Sequence, residues 1–341
     1  MLLIVKKIKK LGRLELKVFR IGTFNFDNLD DKDPNEFNRR KPVLRSMLER
    51  MDAELLFLQE VHSISAVQDL IQGTRYDQEQ FNMEYTKTKT SGRTQPYAKR
   101  NLVILSKYPI QNLKHYHHNL VEKPKWKIMT RNPPSSDDTV TWERPILCCE
   151  IKLGNNKVIH AINLHLKSKI PVKIVGQQNP TKYWEWNTIY GWAEGFFISA
   201  IKRVGQALET RMLIDNLFNA DAQASIVVAG DFNAEIDSVP FRTIVGSMRE
   251  VCNSTLGPFI MIPCEYNIPS DQRYSLLHHG KGNMLDHVIA SKSLYPYWRR
   301  TEIFNELIPD KSIAYSYPEY YPESDHAPII AEFELPDSWF N

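Results

Sequence analysis

A carboxylate and an amide stand at the end of an apolar run in the segment VVAGDFNAE, residues 227–235. Small and β-branched residues in such a run predict a buried strand, and Asp231 and Asn233 come where it stops. An Asp and an Asn after a strand are most often turn residues. The end of a buried strand can also hold catalytic groups rigidly. The residues at the other strand ends distinguish these two interpretations.

The same few residue types mark the ends of five further apolar runs. They are Asn25 in GTFNFD, Glu60 in FLQEV, His165 in INLHLKS, Asp286 and His287 in MLDHVIAS, and Asp325 and His326 in SDHAPI. Each one alone has an ordinary structural explanation, such as a solvated strand-end acid or a core histidine. Six runs that end in the same chemistry predict one pocket that is rich in carboxylates, histidines and amides.

Metal-assisted hydrolysis of a phosphate ester is the chemistry that suits this set. The oxygen atoms of Glu60, Asn25 and Asp325 favour a hard cation, Mg²⁺ or Mn²⁺, and no Cys/His cluster has zinc spacing. The metal would neutralise charge on the phosphoryl oxygens and help to activate water, while a His or an Asp handles protons.

The ordered motifs also resemble those of a known superfamily. GTFNFDNL, FLQEV, NLVILSKYPI, INLHLKS, VVAGDFNAE, LDHVIAS and SDHAPI follow one another between about Ile21 and Phe333, and they are similar to the motifs of the endonuclease/exonuclease/phosphatase superfamily of divalent-metal phosphoesterases. The stretches ERPIL and HLKSK further resemble bacterial nucleases of that superfamily.

The resemblance implies a fold and a metal site. The fold is α/β, a four-layer α/β/β/α sandwich of two packed mixed sheets with the site at one end. Glu60 would be the principal metal ligand, with Asn25 and Asp325 nearby.

The resemblance also implies roles for five catalytic residues. Asp231 would handle a proton or orient the attacking water, and Asn233 would position Asp231 or the phosphate. His326, oriented by Asp286, would contact the phosphate or act as a base. His165 would lie against the scissile phosphate.

One departure from the family pattern concerns His165. In pancreatic-type deoxyribonucleases the matching histidine is paired with a glutamate near the start of the strand that corresponds to residues 101–106. Here residues 85–102 contain no acid. We therefore expect His165 to lack a carboxylate partner of its own and to act as a phosphate donor.

Four residues are candidates for substrate binding: Arg144, Lys167, Asn101 and Tyr274. The acid-free stretch adds a group of basic residues, namely Lys87, Lys89, Arg93, Lys99 and Arg100. Two interpretations of that group stay open, a solvated loop and a basic rim that steers a polyanion.

The elements that must position these residues alternate between strands and helices, which favours an α/β fold. Residues 36–51 and 201–219 have helical spacing of apolar residues; in the second, Ile201, Val204, Leu208 and Met212 form one stripe. Gly154, Asn155 and Asn156 predict a hairpin turn between the strands 146–153 and 157–166.

An insertion at 170–200 is rich in aromatic residues, including three of the seven tryptophans. We expect a packed elaboration of the core with a helical turn over 187–200. The alternative is a lid over the substrate whose rings stack on bases or sugars.

The composition places few limits on partners. The chain has 341 residues, 42% of them hydrophobic, enough for a sizeable core. Its 43 basic and 40 acidic residues nearly balance, so a local patch rather than net charge would select an anionic partner. Four cysteines without a CxxC pair indicate a reduced protein. No signal peptide or membrane span is recognised, so a cytoplasmic location is expected.

Together these patterns predict a basic N-terminal segment at 1–20 and a single domain at 21–335. The favoured function is a Mg²⁺- or Mn²⁺-dependent phosphodiester hydrolase, a nuclease acting on DNA or RNA. A phosphatase or phosphodiesterase on inositol phosphates, lipid headgroups or nucleotides is the alternative, because one fold hosts several such activities. A non-catalytic binding protein is disfavoured by the complete set of reactive residues, and protein partners are not predicted.

Overall fold

The computed structural model describes residues 15–90, 93–136, 139–154, 157–182, 184–312 and 321–341. Most of the predicted basic segment 1–20, the hairpin-turn residues Asn155 and Asn156, and Tyr183 of the insertion lie outside the described residues. The side chain of Lys89 is likewise outside them.

Six helices and sixteen strands are present in the described part of the chain. The helices are α1 (Pro34–Met51), α2 (Ile64–Ile71), α3 (Arg75–Gln78), α4 (Ile189–Ala220), α5 (Val239–Val245) and α6 (Met248–Val251). No helix in this part is both long and apolar enough to cross a membrane.

Twelve of the strands build two six-stranded sheets. Sheet A has the order β15 (Trp298–Ile303), β16 (Ile329–Pro336), β1 (Leu16–Leu29), β2 (Leu55–Val61), β6 (Asn101–Ser106) and β3 (Asn82–Tyr85). Sheet B has the order β11 (Ile262–Pro263), β14 (Asp286–Ala290), β10 (Ser225–Asp231), β9 (Lys157–His165), β8 (Ile146–Gly154) and β7 (Ile110–Tyr116). Two hairpins complete the set, β4 (Lys87–Thr90) with β5 (Arg93–Pro96), and β12 (Leu276–His278) with β13 (Lys281–Asn283).

Each sheet is mixed, with one parallel pair near its centre. β1 runs parallel to β2, and β10 runs parallel to β9, while their other neighbours are antiparallel. The carboxyl ends of a parallel pair lie at one edge of a sheet, so each sheet delivers two strand ends to the same edge.

Three apolar cores define four layers. Phe19, Phe57 and Val227 belong to the core between the two sheets. A second core packs α1 and α2 on the outer face of sheet A, and a third packs α4 and α5 on the outer face of sheet B. The α/β/β/α sandwich of two mixed sheets is therefore confirmed.

The local predictions held for most elements. The helix at 36–51 and the strands that flank the turn at Gly154 are confirmed. Three of the cysteines are buried, but Cys252 is exposed. The expected single domain at 21–335 stays a prediction.

Helix α4 differs from its prediction in length. It begins at Ile189, so the second half of the aromatic insertion forms its first turns. The predicted apolar stripe does not face the core, since Leu208 and Met212 are exposed. The inward face carries polar residues such as Glu209 and Gln206, whose hydrogen bonds to other segments set the orientation.

Candidate active site

Three of the predicted catalytic residues are neighbours across sheet B. Asp231, the last residue of β10, pairs in register with His165 on β9 and with Asp286 on β14. Directly opposed residues in adjacent strands present their side chains on the same face. The strand pairing alone therefore brings two carboxylates and one imidazole together at the edge of the sheet.

The Asp231 carboxylate is buried and accepts four hydrogen bonds. Its Oδ2 atom accepts from Asn25 Nδ2 and Asn233 Nδ2, both at 3.1 Å, and lies 3.2 Å from His165 Nε2. Its Oδ1 atom accepts from the Asn233 amide at 2.8 Å. Burial would raise the pKa of Asp231, but the interaction with His165 and the positive potential of His326 hold it well below its usual range. The group is therefore fixed as a carboxylate.

A second acid–imidazole pair lies beside the first. His326 Nδ1 is 2.7 Å from Asp286 Oδ2, which also accepts from Ser275 Oγ at 2.7 Å. Burial disfavours the imidazolium, but the Asp286 carboxylate outweighs burial and raises the pKa of His326 well above its usual value. One ligand atom from each of Asp231, Asp286 and His326 lies within 4.8 Å of the others. The pair leaves Nε2 of His326 as the atom that can meet a substrate.

Sheet A contributes Asn25 and Glu60 to the same edge. Glu60 adopts a positive φ of 56° where the pairing of β2 with its neighbours is irregular, a backbone strain that is typical of functional positions. Its Oε1 atom lies 3.6 Å from His165 Nε2. Asn25 joins the two sheets through its bond to Asp231.

Asp325 lies next to a basic residue that the sequence patterns did not indicate. Its Oδ1 atom is 3.9 Å from Lys311 Nζ, and Lys311 also pairs with Asp27. Burial, followed by the negative charges of Asp27 and Glu60, raises the pKa of Asp325, although His326 and Lys311 oppose this. A further cation among these acids would relieve that repulsion.

The donor set fits a hard divalent cation. Glu60, Asn25 and Asp325 supply oxygen atoms, which Mg²⁺ and Mn²⁺ prefer. The buried Oδ1 atom of Asp286 has no hydrogen-bond partner among the described residues, and the partly exposed Glu60 carboxylate is 3.6 Å from His165 Nε2. Buried acceptor atoms without partners are costly unless a cation or water meets them.

His165 was expected to lack a carboxylate partner, but its Nε2 atom lies 3.2 Å from Asp231 Oδ2 and 3.6 Å from Glu60 Oε1. Its ring is buried and its Nδ1 atom has no hydrogen-bond partner among the described residues. Burial and the nearby Arg144 lower its pKa. His165 is thus a neutral imidazole that donates from Nε2 toward Asp231.

Arg144 and Lys167 brace the loop that follows β9. Arg144 donates from Nε to the His165 carbonyl at 3.1 Å and from Nη2 to the Leu166 carbonyl at 2.9 Å, and burial lowers its pKa to about 10. Lys167 donates to Ser168 Oγ at 2.9 Å, and burial lowers its pKa to about 8. Both side chains nevertheless line a cavity.

That cavity is about 560 Å³ in volume and is strongly basic. Its walls carry five cationic side chains and one acidic side chain: Lys99, Arg100, Arg144, Lys167, Lys173 and Glu143. The predicted basic rim is divided, because Lys87 pairs with Glu84 whereas Lys99 and Arg100 reach the cavity. Arg93 is exposed on β5.

Two of the predicted substrate-binding residues are placed differently from the expectation. Asn101 is fully buried, and its amide bonds to Thr86, Val61 and the backbone of Tyr97. Its side chain therefore anchors the loop at 97–100, and no surface remains for a substrate.

Tyr274 packs over Gly282 of the hairpin β12–β13. Its neighbour Ser275 is the residue that reaches the site, because its Oγ accepts from the Asp286 amide at 3.0 Å and donates to the Asp286 carboxylate. His287, the other histidine of MLDHVIAS, is a core residue whose Nδ1 lies 2.5 Å from Glu265.

Several supporting residues carry no chemical signature in the sequence. Ser324 donates to the Asn25 carbonyl at 2.7 Å and accepts from the His326 amide at 3.1 Å. Beneath the site, Gln59 Nε2 donates to Asn163 Oδ1 across the two sheets at 2.9 Å. The only indication of Gln59 in the sequence is that it directly precedes Glu60, a candidate metal ligand.

This sandwich, with acids, amides and imidazoles from both sheets at one edge, is the architecture of the phosphoesterase class that the motifs resemble. The family model described as Endonuclease/Exonuclease/phosphatase family matches residues 22–326. The chain therefore belongs to the endonuclease/exonuclease/phosphatase family.

Solved structures from several organisms share this fold. Truncated TDP2 from Caenorhabditis elegans shares 15% identity with a TM-score of 0.55, covering 93% of this chain and 98% of its own. An endonuclease/exonuclease/phosphatase family protein from Bacteroides thetaiotaomicron shares 14% with a TM-score of 0.51, covering 94% and 98%. The 3'-5' exonuclease NExo from Neisseria meningitidis shares 14% with a TM-score of 0.51, covering 93% and 100%. At such identities the likeness establishes the fold. No curated protein matches the chain.

Proposed function

We propose that the protein is a divalent-metal-dependent phosphodiester hydrolase that acts on nucleic acid, with DNA as the favoured substrate. The observation that carries this proposal is the position of the Asp231–His165 and Asp286–His326 pairs beside a basic cavity. Phosphoester hydrolysis needs a held water, donors to the phosphoryl oxygens and positive charge for the rest of the substrate.

Glu60, Asn25 and Asp325 would hold the cation, Mg²⁺ or Mn²⁺. When bound, it supplies positive charge to the phosphoryl oxygens. Asp325 and Glu60 are carboxylates, which cannot donate a hydrogen bond to a phosphate. Their proposed role is therefore to bind the cation, and the cation supplies the positive charge.

The remaining steps belong to the side chains of the protein. Asp231, held by four donors, orients the attacking water by accepting a hydrogen bond from it. His326, protonated through its pairing with Asp286, donates from Nε2 to a phosphoryl oxygen. Neutral His165 holds Asp231 in place, and the basic cavity holds the flanking phosphates by charge.

The proposal is tested with a substrate panel, each member with and without Mg²⁺ or Mn²⁺. Plasmid, linear duplex, single strands, RNA and small phosphodiesters are compared, together with Glu60→Gln. We expect cleavage of DNA that needs the cation, and a joint loss of metal affinity and activity in Glu60→Gln. Full activity in excess chelator would overturn the metal assignment, and cleavage of small phosphodiesters alone would overturn the nucleic-acid assignment.

A second candidate is a phosphodiesterase on lipid headgroups or other small phosphoesters. It is favoured by the apolar side chains that helix α4 exposes next to the basic cavity. The same panel separates the two candidates.

A further inference from the structure

Helix α4 exposes an apolar face to solvent along most of its length. Ile189, Trp192 and Phe196, spaced by three and four residues, lie on this face and are 84%, 43% and 38% exposed. Phe197, Leu208 and Met212 continue it. We call the exposed positions between Ile189 and Met212 the outer face of α4. Soluble helices usually turn such a face inward.

Polar contacts on the opposite side hold the helix in this orientation. Glu194 accepts from the amides of Met129 and Thr130 at 2.7 and 2.8 Å, and Glu209 accepts from the Asn119 amide at 2.7 Å. Lys202 pairs with Glu143 at 2.6 Å. Rotating the apolar face inward would break all of these buried contacts.

The first half of α4 lies close to the candidate active site. Arg203 bonds to the carbonyls of Lys167 and Ser168, which follow the end of β9. Residues 189–202 therefore extend beyond that strand end by about 20 Å, at 1.5 Å per residue. The Val172 amide of the basic cavity donates to the carbonyl of the buried Gly195 at 3.0 Å, so the inward side of α4 adjoins the cavity.

The unpaired charge around the outer face is mainly positive, because the exposed Glu185 and Asp215 are paired with Lys182 and Arg211. Both acids of α4 between 189 and 212 point inward, as Glu194 and Glu209 are buried. The neighbouring segment 123–131, KPKWKIMTR, has four basic residues and no acid. It is fixed to the helix by Trp126, whose ring lies 4.6 Å from that of Phe197.

Within that segment the side chains alternate in environment. Trp126 and Ile128 pack on the small core formed by Val140, Ile174 and Ile198, whereas Lys125 and Lys127 are exposed. No ion pair engages these two lysines within the described ranges. Cations thus border an apolar and aromatic surface.

We propose that the outer face of α4 binds the surface of an anionic lipid bilayer. Aromatic and aliphatic side chains insert at the boundary between headgroups and acyl chains, and exposed lysines attract anionic headgroups. The inference concerns docking and holds whichever phosphoester the site cleaves.

Two other occupants fit the surface less well. Single-stranded nucleic acid needs flat rings for stacking, but Ile189, Leu208 and Met212 are aliphatic. A second copy of the chain would bring its own exposed Lys125 and Lys127 against the same two lysines of the first copy, and like charges repel. A lipid surface matches both the apolar and the cationic features.

The test is co-sedimentation of the full chain with vesicles, without metal or substrate, so that its outcome is independent of catalysis. Neutral phosphatidylcholine vesicles are compared with vesicles that contain about 30 mol% phosphatidylserine, which gives the bilayer a negative surface potential. We expect binding to the anionic vesicles that weakens with salt. Trp192→Ser with Phe196→Ser should lower the affinity at least about tenfold. Lys125→Gln with Lys127→Gln should lower it about fivefold per lysine.

The matched control replaces two apolar residues of similar exposure elsewhere. Leu16 and Val18, 46% and 44% exposed, lie at the start of β1, the end opposite to Asn25. Leu16→Ser with Val18→Ser should leave vesicle binding unchanged. All variants should keep their melting temperatures, because exposed positions contribute little to stability.

Several outcomes would overturn the proposal. These are no sedimentation with anionic vesicles, equal loss of binding in the control, or a dimer in light scattering that Trp192→Ser with Phe196→Ser converts to a monomer. If the wild type does not bind vesicles and the Trp192→Ser, Phe196→Ser variant loses binding to single-stranded DNA, the outer face is a nucleic-acid surface instead.

Discussion

At the residue scale, the hydrogen bonds of Asp231 decide what its carboxylate can do. Four donors and a lowered pKa make it a weak base but a well-fixed acceptor. A group of this kind is suited to hold a water molecule in line with the phosphate rather than to store its proton. His326, with a raised pKa, has the complementary role of a donor.

We expect Asp231→Asn to lower kcat by at least about two decades, the usual cost of a misplaced reacting group. The amide would present a donor to groups that themselves donate, so the water would lose its fixed acceptor. Steady-state kinetics and circular dichroism measure activity and fold. Asp237→Asn, an exposed residue after the same strand, is the control. Near-normal turnover in Asp231→Asn would make Asp231 a structural residue.

Lys167 gives the basic cavity a pH dependence. Burial lowers its pKa to about 8, so the ammonium is present at pH 7 and is lost as the pH rises through 8. We expect KM for an anionic substrate to rise by roughly tenfold between pH 7 and 9, the size of one charge-assisted hydrogen bond. In Lys167→Arg the guanidinium keeps its charge and KM should stay level. Identical pH profiles in both proteins would remove Lys167 from substrate binding.

At the element scale, one glycine permits the strand pairing that assembles the site. Gly230, next to Asp231, has a φ of +144°, and a Cβ atom there would lie 2.0 Å from the Leu164 carbonyl oxygen. Only glycine adopts such a conformation without strain. The close approach of β10 to β9 therefore depends on this residue.

We expect Gly230→Ala to lower the free energy of unfolding by about 3 kcal/mol or more and to abolish activity, because the clash separates Asp231 from His165. Denaturant unfolding measures the stability. Gly257→Ala is the control, since a Cβ atom there would meet Met248 Sδ at an ordinary 3.5 Å. Equal stability of the two variants would contradict the role assigned to Gly230.

The sequence predicts the parts of the fold and of the site that depend on local pattern. The strand ends near Glu60 and Asp231 follow from apolar runs that stop at polar residues, which is a property of neighbours in the chain. β1 instead continues to Leu29, four residues past Asn25. Ser275 and Asn101 could not be assigned in this way. Their roles depend on Asp286 and Tyr97, whose positions result from tertiary packing.

The sequence could not predict the orientation of α4 for the same reason. Helical periodicity gave the stripe with Leu208 and Met212, and an apolar stripe ordinarily faces the core. The partners of Glu194 and Glu209 lie more than sixty residues away in sequence, so their contribution could not enter a local pattern. Two residues of that stripe, Leu208 and Met212, also belong to the outer face, to which we assign a lipid partner.

At the scale of the whole molecule, the net charge of +3 conceals a local concentration of charge. Five cationic side chains and one acidic side chain line the cavity beside the candidate site. A polyanion condenses counterions that are released when its phosphates are neutralised, whereas a single phosphoester has few to release. Salt dependence therefore distinguishes the two substrate classes.

We expect KM for DNA to rise steeply with salt at fixed free metal, with a log–log slope of about 0.7 to 0.9 per phosphate contacted. Lys99→Ala with Arg100→Ala should reduce this slope by roughly one to two units and leave kcat at saturation little changed. The control is Lys17→Ala with Lys157→Ala, at the starts of β1 and β9, the opposite end of the sheets. Removing these two charges changes net charge by the same amount without touching the cavity. Equal slopes in both double variants would show a response to net charge alone, and a flat slope in the wild type with turnover of a small phosphodiester would favour the small-substrate enzyme.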